Sequence, residues 1–261
     1  NEGNVSGDGG QPDLFTPALD LGGGMIEQAG ELYAVVAHFL DLFENFILFD
    51  HSGGHTAKIL ARNHQYLGVN EAVEAYKNRK LKEGKLGVFW HTQGSGKTIT
   101  MIMLTKMILR ENLKSNSIIK KPRFVMVTDR VNLYKQIRDN FIHTQMSPHR
   151  AKTGTGLIEL LQDEGNTVIT SLVNKFEAAI KQEYCNDSEN LFLFIDEGHR
   201  TQYGKLNIYM NKVLPNAVKI AFTGTPLIKK PKKDDKRNIE SEKNTYVKFG
   251  PLIDKYTLQD A

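Results

Sequence analysis

The chain has one cysteine in 261 residues, Cys185, which excludes a disulfide framework and fits a reducing compartment. Its most natural role is a structural or surface thiol. No apolar run approaches the length of a membrane span, so no membrane partner is expected. The start, Asn1-Glu2-Gly3-Asn4, has neither a basic region nor an apolar core, so a secretory leader is not expected. It also lacks an initiator Met, which reads as an excised or processed piece. No repeat recurs at any period. Charge of one sign is scarce outside a single stretch. Lys229 to Arg237 holds six basic and two acidic residues, and so carries the whole net charge of +4. Bulk charge therefore says little about nucleic acid, and this stretch, out to about residue 245, reads as a solvated mobile loop.

What remains is the composition of an ordinary globular protein, with 40% hydrophobic and 25% charged residues. Residues 1–30 are rich in Gly and read as a linker. From Glu31 to Phe49 apolar residues recur at spacings of three and four (Val35, Val36, Phe39, Leu40, Phe43, Phe46, Ile47), the pattern of an amphipathic packing helix. His51 and His55 flank Ser52-Gly53-Gly54. Two glycines disfavour the helix that would align the pair, so a turn is expected rather than a metal site. A second helix is expected over Leu67 to Arg79. Glu83-Gly84-Lys85 has the ending of a metal-dependent nuclease motif, but no upstream strand-borne Asp accompanies it, so it is discarded.

The organising stretch is Leu86 to Leu104. A buried strand through Trp90 runs into His91-Thr92-Gln93-Gly94-Ser95-Gly96-Lys97-Thr98, and then into an apolar helix. Strand, Gly-rich turn and helix is the layout of a phosphate-binding loop. Glycines let backbone N–H groups crowd an anion, and the helix N-terminus offers its partial positive charge. Gln93, Gly94, Ser95 and Gly96 would line the phosphates, with Lys97 reaching the terminal ones. The Thr98 hydroxyl would bind Mg2+. His91 stands where the general form has its first glycine.

Further strands follow at Arg123–Thr128, Thr167–Thr170, Leu191–Ile195 and Ala217–Phe222, alternating with helices. That alternation implies a parallel sheet covered on both faces, with chemistry at the strand carboxyl ends. Phe192-Leu193-Phe194-Ile195-Asp196-Glu197 is the acidic element a phosphate loop requires: Asp196 for Mg2+, Glu197 to orient the attacking water.

Asp196-Glu197-Gly198-His199 resembles the second motif of superfamily 2 helicases and translocases. Thr223-Gly224-Thr225-Pro226 resembles their third, and Val125 to Arg130 with Leu133 and Gln136 resembles motif Ia. Thr167 to Ser171 with Lys175-Phe176 resembles the next strand-end motif. Together with Arg62-x-His64-Gln65 and Trp90 to Thr98, the series is similar to the restriction (motor) subunit of type I restriction-modification enzymes over residues 40–260. The resemblance implies an α/β fold: a RecA-like P-loop NTPase lobe (86–261) whose mainly parallel sheet is flanked by helices. A helical segment (31–85) would precede it. Gln65, supported by Arg62, would read adenine, although an exposed helix-start residue is an equal reading from the residues alone. His199, Thr223 and Thr225 would couple ATP to DNA, and Thr128, Arg130, Thr170 and Lys175 would meet the DNA backbone.

The resemblance further implies ATP and Mg2+ as cofactors, double-stranded DNA as the track, methyltransferase and specificity subunits as partners, and a cytoplasmic setting. Such subunits hydrolyse ATP, pull duplex DNA and cut it. This chain would hold the first lobe, without the nuclease domain or the second lobe. Two alternatives stay open: another superfamily 2 motor, or an ATP-binding lobe that turns over nothing alone.

Overall fold

The computed structural model describes residues 23–114, 121–196, 203–226, 245–257 and 259–260. The chain divides into two units, Asn1–Phe46 and Ile47–Ala261. The first contributes helix α1, Gly23–Asn45, which starts inside the expected linker. Its apolar side chains are not a packed face: Val35, Phe39, Leu40 and Phe43 are all exposed. The helix does not reach Phe49 as expected. Ile47–Asp50 is strand β1, paired antiparallel with β2, Ala57–Leu60. The Ser52–Gly54 turn between them has Gly53 and Gly54 at positive φ, so the two histidines flank a hairpin tip.

The hairpin and α2, Asn63–Lys77, lie in the second unit, which starts at Ile47. Beyond them the expected alternation is present: β3 (Lys85–His91), α3 (Lys97–Lys114), β4 (Arg123–Thr128) and α4 (Val131–His143). The order continues through β5 (Pro148–Arg150), α5 (Gly154–Gln162), β6 (Val168–Leu172), α6 (Val173–Lys181) and β7 (Leu191–Asp196). It closes with α7 (Tyr203–Val213), β8 (Val218–Thr223), α8 (Thr245–Phe249) and β9 (Leu252–Tyr256). Seven strands form one sheet in the order β5-β6-β4-β7-β8-β3-β9, with every pairing parallel. The fold is α/β, as expected. The basic stretch near 229–245 lies outside the described residues, apart from Thr245, which opens α8.

All six residues of β4 and all six of β7 are buried, the signature of central parallel strands covered on both faces. Their period-2 alternation sorts the core into two compositions. One face carries Phe89, Phe124, Phe192, Phe194 and Phe222. The Phe89 and Phe222 rings stack at 4.8 Å, and Tyr76 of α2 meets Phe192 at 5.6 Å. The other face packs Val125, Ile169, Leu193 and Ile195 with Leu157, Phe176 and Met210 in one apolar cluster.

Arg123 is the exception inside this core, only 2% exposed at the start of β4. Its guanidinium donates to the carbonyls of Leu160 (2.7 Å), Leu161 (3.0 Å), Asp163 (2.8 Å) and Asn166 (3.0 Å). These are the carbonyls that the end of α5 and the following turn leave without helical partners. Arg123→Leu removes all four donors at once. It is expected to destabilise the fold by about 3 kcal/mol or more, read as a lower urea midpoint. An unchanged midpoint would contradict this role.

Candidate nucleotide site

Strand β3 delivers the chain to the carboxyl edge of the sheet, between β8 and β9. There residues 92–96 turn and α3 begins at Lys97. Gly94 and Gly96 have φ of 85° and 86°, a region glycine enters without a Cβ clash. At Gly96 space also matters, because a Cβ there would lie 2.6 Å from Gln65 Nε2. Lys97 Nζ donates to the carbonyls of His91 and Thr92, 3.2 Å each. Both acceptors are neutral, so its charge is left for an anion. Ser95 is 3% exposed, and its hydroxyl has no hydrogen-bond partner among the described residues. A buried polar atom of this kind in a phosphate-type loop fits a ligand oxygen.

A cleft of about 790 Å³ opens over this loop. Gln93, Gly94, Gly96, Lys97 and Thr98 line it from the loop side, and Asp196 from the end of β7. Arg130, Val131, Asn132 and Leu133 line it from the first turn of α4, with Gln136 and Asn140 beyond. Lys97, Thr98 and Asp196, far apart in sequence, are thus brought to one cavity. Thr98 and Asp196 supply hard oxygen donors, the chemistry Mg2+ takes. No group of three His, Cys, Asp or Glu side chains able to hold a metal exists among the described residues.

The remaining expected residues divide. Gln65 does not line this cleft. It is 3% exposed and sits in the first turn of α2. Its Oε1 accepts from the Arg62 N–H at 2.9 Å, and its Nε2 donates to the Gly96 carbonyl at 3.2 Å. It is therefore a brace between α2 and the loop, with Arg62 exposed beside it. An amide has two donors and two acceptor sites, and these contacts use one of each. Thr128 and Thr170 are each 1% exposed. Thr128 accepts from the Arg130 N–H, and Thr170 donates to the Tyr134 hydroxyl at 3.2 Å. Both side chains are buried, Thr128 folded onto its own strand-end turn and Thr170 against Tyr134. Arg130 is exposed and shares the cleft with the loop, and Lys175 lies half-buried on α6, away from it. Thr223 is buried at the end of β8, where its hydroxyl accepts from the N–H of exposed Thr225 at 3.2 Å. Glu197 and His199 lie outside the described residues.

Residue-by-residue reading of the motifs missed the contacts that five neighbours make around the loop. Trp90 donates its indole N–H to the Gly224 carbonyl at 3.0 Å and so ties β3 to the turn after β8. His64, His91, Asp254 and Tyr256 pack beneath the loop. The visible signal was His91 itself, an imidazole where the loop's general form has glycine. Burial pushes the His64 imidazole below its usual range, which favours its neutral form. Its Nε2 lies 3.1 Å from the Ser95 carbonyl and so must be the protonated nitrogen.

No helix among the described residues is long and apolar enough to cross a membrane. The sequence pattern of the SWI2/SNF2 ATPase family matches residues 64–261. The chain is also similar to the type I restriction enzyme HindI endonuclease subunit of Haemophilus influenzae. Identity is 34% over 246 residues, covering 85% of this chain and 22% of that protein. The type I restriction enzyme SsaAORF53P endonuclease subunit of Staphylococcus saprophyticus is 28% identical over 228 residues, 79% of this chain and 23% of that one. The chain thus spans less than a quarter of these relatives. Among solved structures, the UvsW helicase of bacteriophage T4 aligns with a TM-score of 0.49 at 16% identity, covering 85% of this chain and 77% of that one. With its phosphate loop and strand-end carboxylate inside the matched region, the chain belongs to the SWI2/SNF2 ATPase family.

Proposed function

We propose that this chain is the first motor lobe of a type I restriction endonuclease subunit, binding ATP with Mg2+ to drive translocation of double-stranded DNA. The observation that carries the reading is the single cleft shared by Lys97, Thr98 and Asp196, in a chain similar to named type I restriction subunits. Backbone N–H groups of Gly94 to Thr98 would hold the β- and γ-phosphates, and the Lys97 ammonium would neutralise them. Thr98 and Asp196 would hold Mg2+, which when bound offsets phosphate charge. Glu197, following β7, would orient the attacking water. Gln65 would serve adenine from its braced position against Gly96, using the amide positions its two protein contacts leave over.

DNA would meet the strand ends on the same edge of the sheet, with Arg130 and Lys175 as phosphate contacts. Arg130 also lines the cleft, which would put one cation within reach of both ligands. The Trp90–Gly224 bond joins the loop-bearing strand to the Thr223–Thr225 turn and offers a mechanical link for coupling. Methyltransferase and specificity subunits would dock the motor on its target, in the cytoplasm where the DNA is. A complete ATP site would use arginines from a second lobe, so the lobe alone should turn over little.

In the intact enzyme, Lys97→Ala should abolish nucleotide binding or turnover. Glu197→Gln should keep binding and lower hydrolysis by about 100-fold or more, the scale of losing a positioned general base. Calorimetric binding plus steady-state ATPase checks both, and full activity in either variant removes the assignment. Gly96→Ala should weaken nucleotide binding at least about tenfold, because the side chain must displace Gln65 and strain the loop. Intact duplex DNA should stimulate the ATPase without strand separation. An ATPase indifferent to duplex but activated by single strands, with unwinding, would favour a different superfamily 2 motor.

A further inference from the structure

The edge strand β9 runs beside β3 and reaches the phosphate loop at three places. Asp254 Oδ2 accepts from His91 Nε2 at 2.5 Å, and His91 is completely buried. The Thr92 N–H donates to the Tyr256 carbonyl at 3.0 Å. The Tyr256 ring lies on the His64 imidazole, centroids 3.9 Å apart and 16° between planes, and His64 holds the Ser95 carbonyl. The loop is therefore gripped at its entry, His91–Thr92, and again at Ser95. His91 is also a residue whose carbonyl receives Lys97 Nζ.

Space has been made for this arrangement. Gly68 lies inside α2, where glycine costs about 1 kcal/mol against alanine. A Cβ there would lie 2.9 Å from Asp254 Cβ and 2.7 Å from the Phe89 ring. A carboxylate–imidazole pair whose imidazole is fully buried and whose carboxylate is only 18% exposed is also a poor means of holding two strands together, since an apolar pair of similar volume does so with a smaller desolvation penalty. Its place directly under the lysine-bearing loop accounts for a polar pair there.

We propose that Asp254 and Tyr256 are positioning residues of the nucleotide site, setting the phosphate loop through His91 and His64. The inference rests on the loop's being the ATP site. The geometry works in order: Asp254 orients the His91 ring, the ring fixes the backbone at the loop's entry, and that backbone places the His91 and Thr92 carbonyls that hold Lys97. Tyr256 fixes the other contact through the stack on His64.

The test is isothermal titration of the full 261-residue chain with Mg·AMP-PNP, well below each variant's melting temperature. Asp254→Asn and His91→Phe should each raise Kd about tenfold, the scale of one charge-assisted hydrogen bond. The double variant should lose no more than the worse single one, because both act on one contact. Gly68→Ala keeps both partners and presses on Asp254 and on the Phe89 ring of β3, the strand that carries His91, so it should weaken binding even if Asp254→Asn does not fold. In the parent, the His91 ring N–H proton should appear downfield of the amide envelope and shift when nucleotide is added. Lys97→Ala is the control for the site itself. Loss of binding in Lys97→Ala with parent-like binding in Gly68→Ala and Asp254→Asn, or multiplicative losses in the double variant, overturns the inference and leaves the ATP site standing. Parent-like binding in Lys97→Ala overturns both.

Discussion

Both faces of the central strands must stay dry. β4 and β7 bury every residue they have, with phenylalanines toward α2 on one side and aliphatics against α5, α6 and α7 on the other. A parallel sheet so covered leaves polar groups only its edges and its strand ends. The polar groups at the carboxyl edge of the sheet follow from that. Lys97 and Thr98 come just after β3, Asp196 ends β7, Thr223 ends β8 and Arg130 follows β4. The same constraint explains Thr128 and Thr170, which stand in motifs associated with DNA but are buried, Thr128 against its own strand-end turn and Thr170 against Tyr134.

The parts of the fold legible in the sequence were those with strong periodicity or strong chemistry. Phe192 to Ile195, Arg123 to Thr128 and the loop from His91 to Thr98 read correctly because a fully buried strand and a Gly-x-Gly-Lys-Thr turn leave few alternatives. The short edge strands did not. β5 has three residues and β9 mixes Leu252 and Ile253 with Asp254 and Lys255, so neither shows a clean alternation. Ile47 to Phe49 continued the spacing of α1 and read as helix, but pairing with Leu60 to Lys58 takes them into a hairpin. Helical periodicity carries no information about a long-range partner.

In the site, the residue types were legible and the architecture between them was not. Gln65 was readable as part of a motif. Its bond to Gly96, and the reason Gly96 must lack a side chain, required the approach of α2 to the loop. Asp254 lies 163 positions from His91, and no local pattern connects them. Trp90 is the single tryptophan of the chain, and only its bond to Gly224 distinguishes it from ordinary strand packing. The phosphate loop is thus a junction. Strand β3 carries it, α2 braces it, β9 grips it, and the turn after β8 is tied to its base.

The central claim is that this junction holds the phosphates of a nucleotide. Hydrogen exchange at the backbone amides of Gly94 to Thr98, with and without Mg·AMP-PNP, tests it most directly. These amides should exchange more slowly once the nucleotide is bound, and those of α5, remote from the cleft, should not change. Saturating nucleotide that leaves Gly94 to Thr98 exchanging as before would contradict the account.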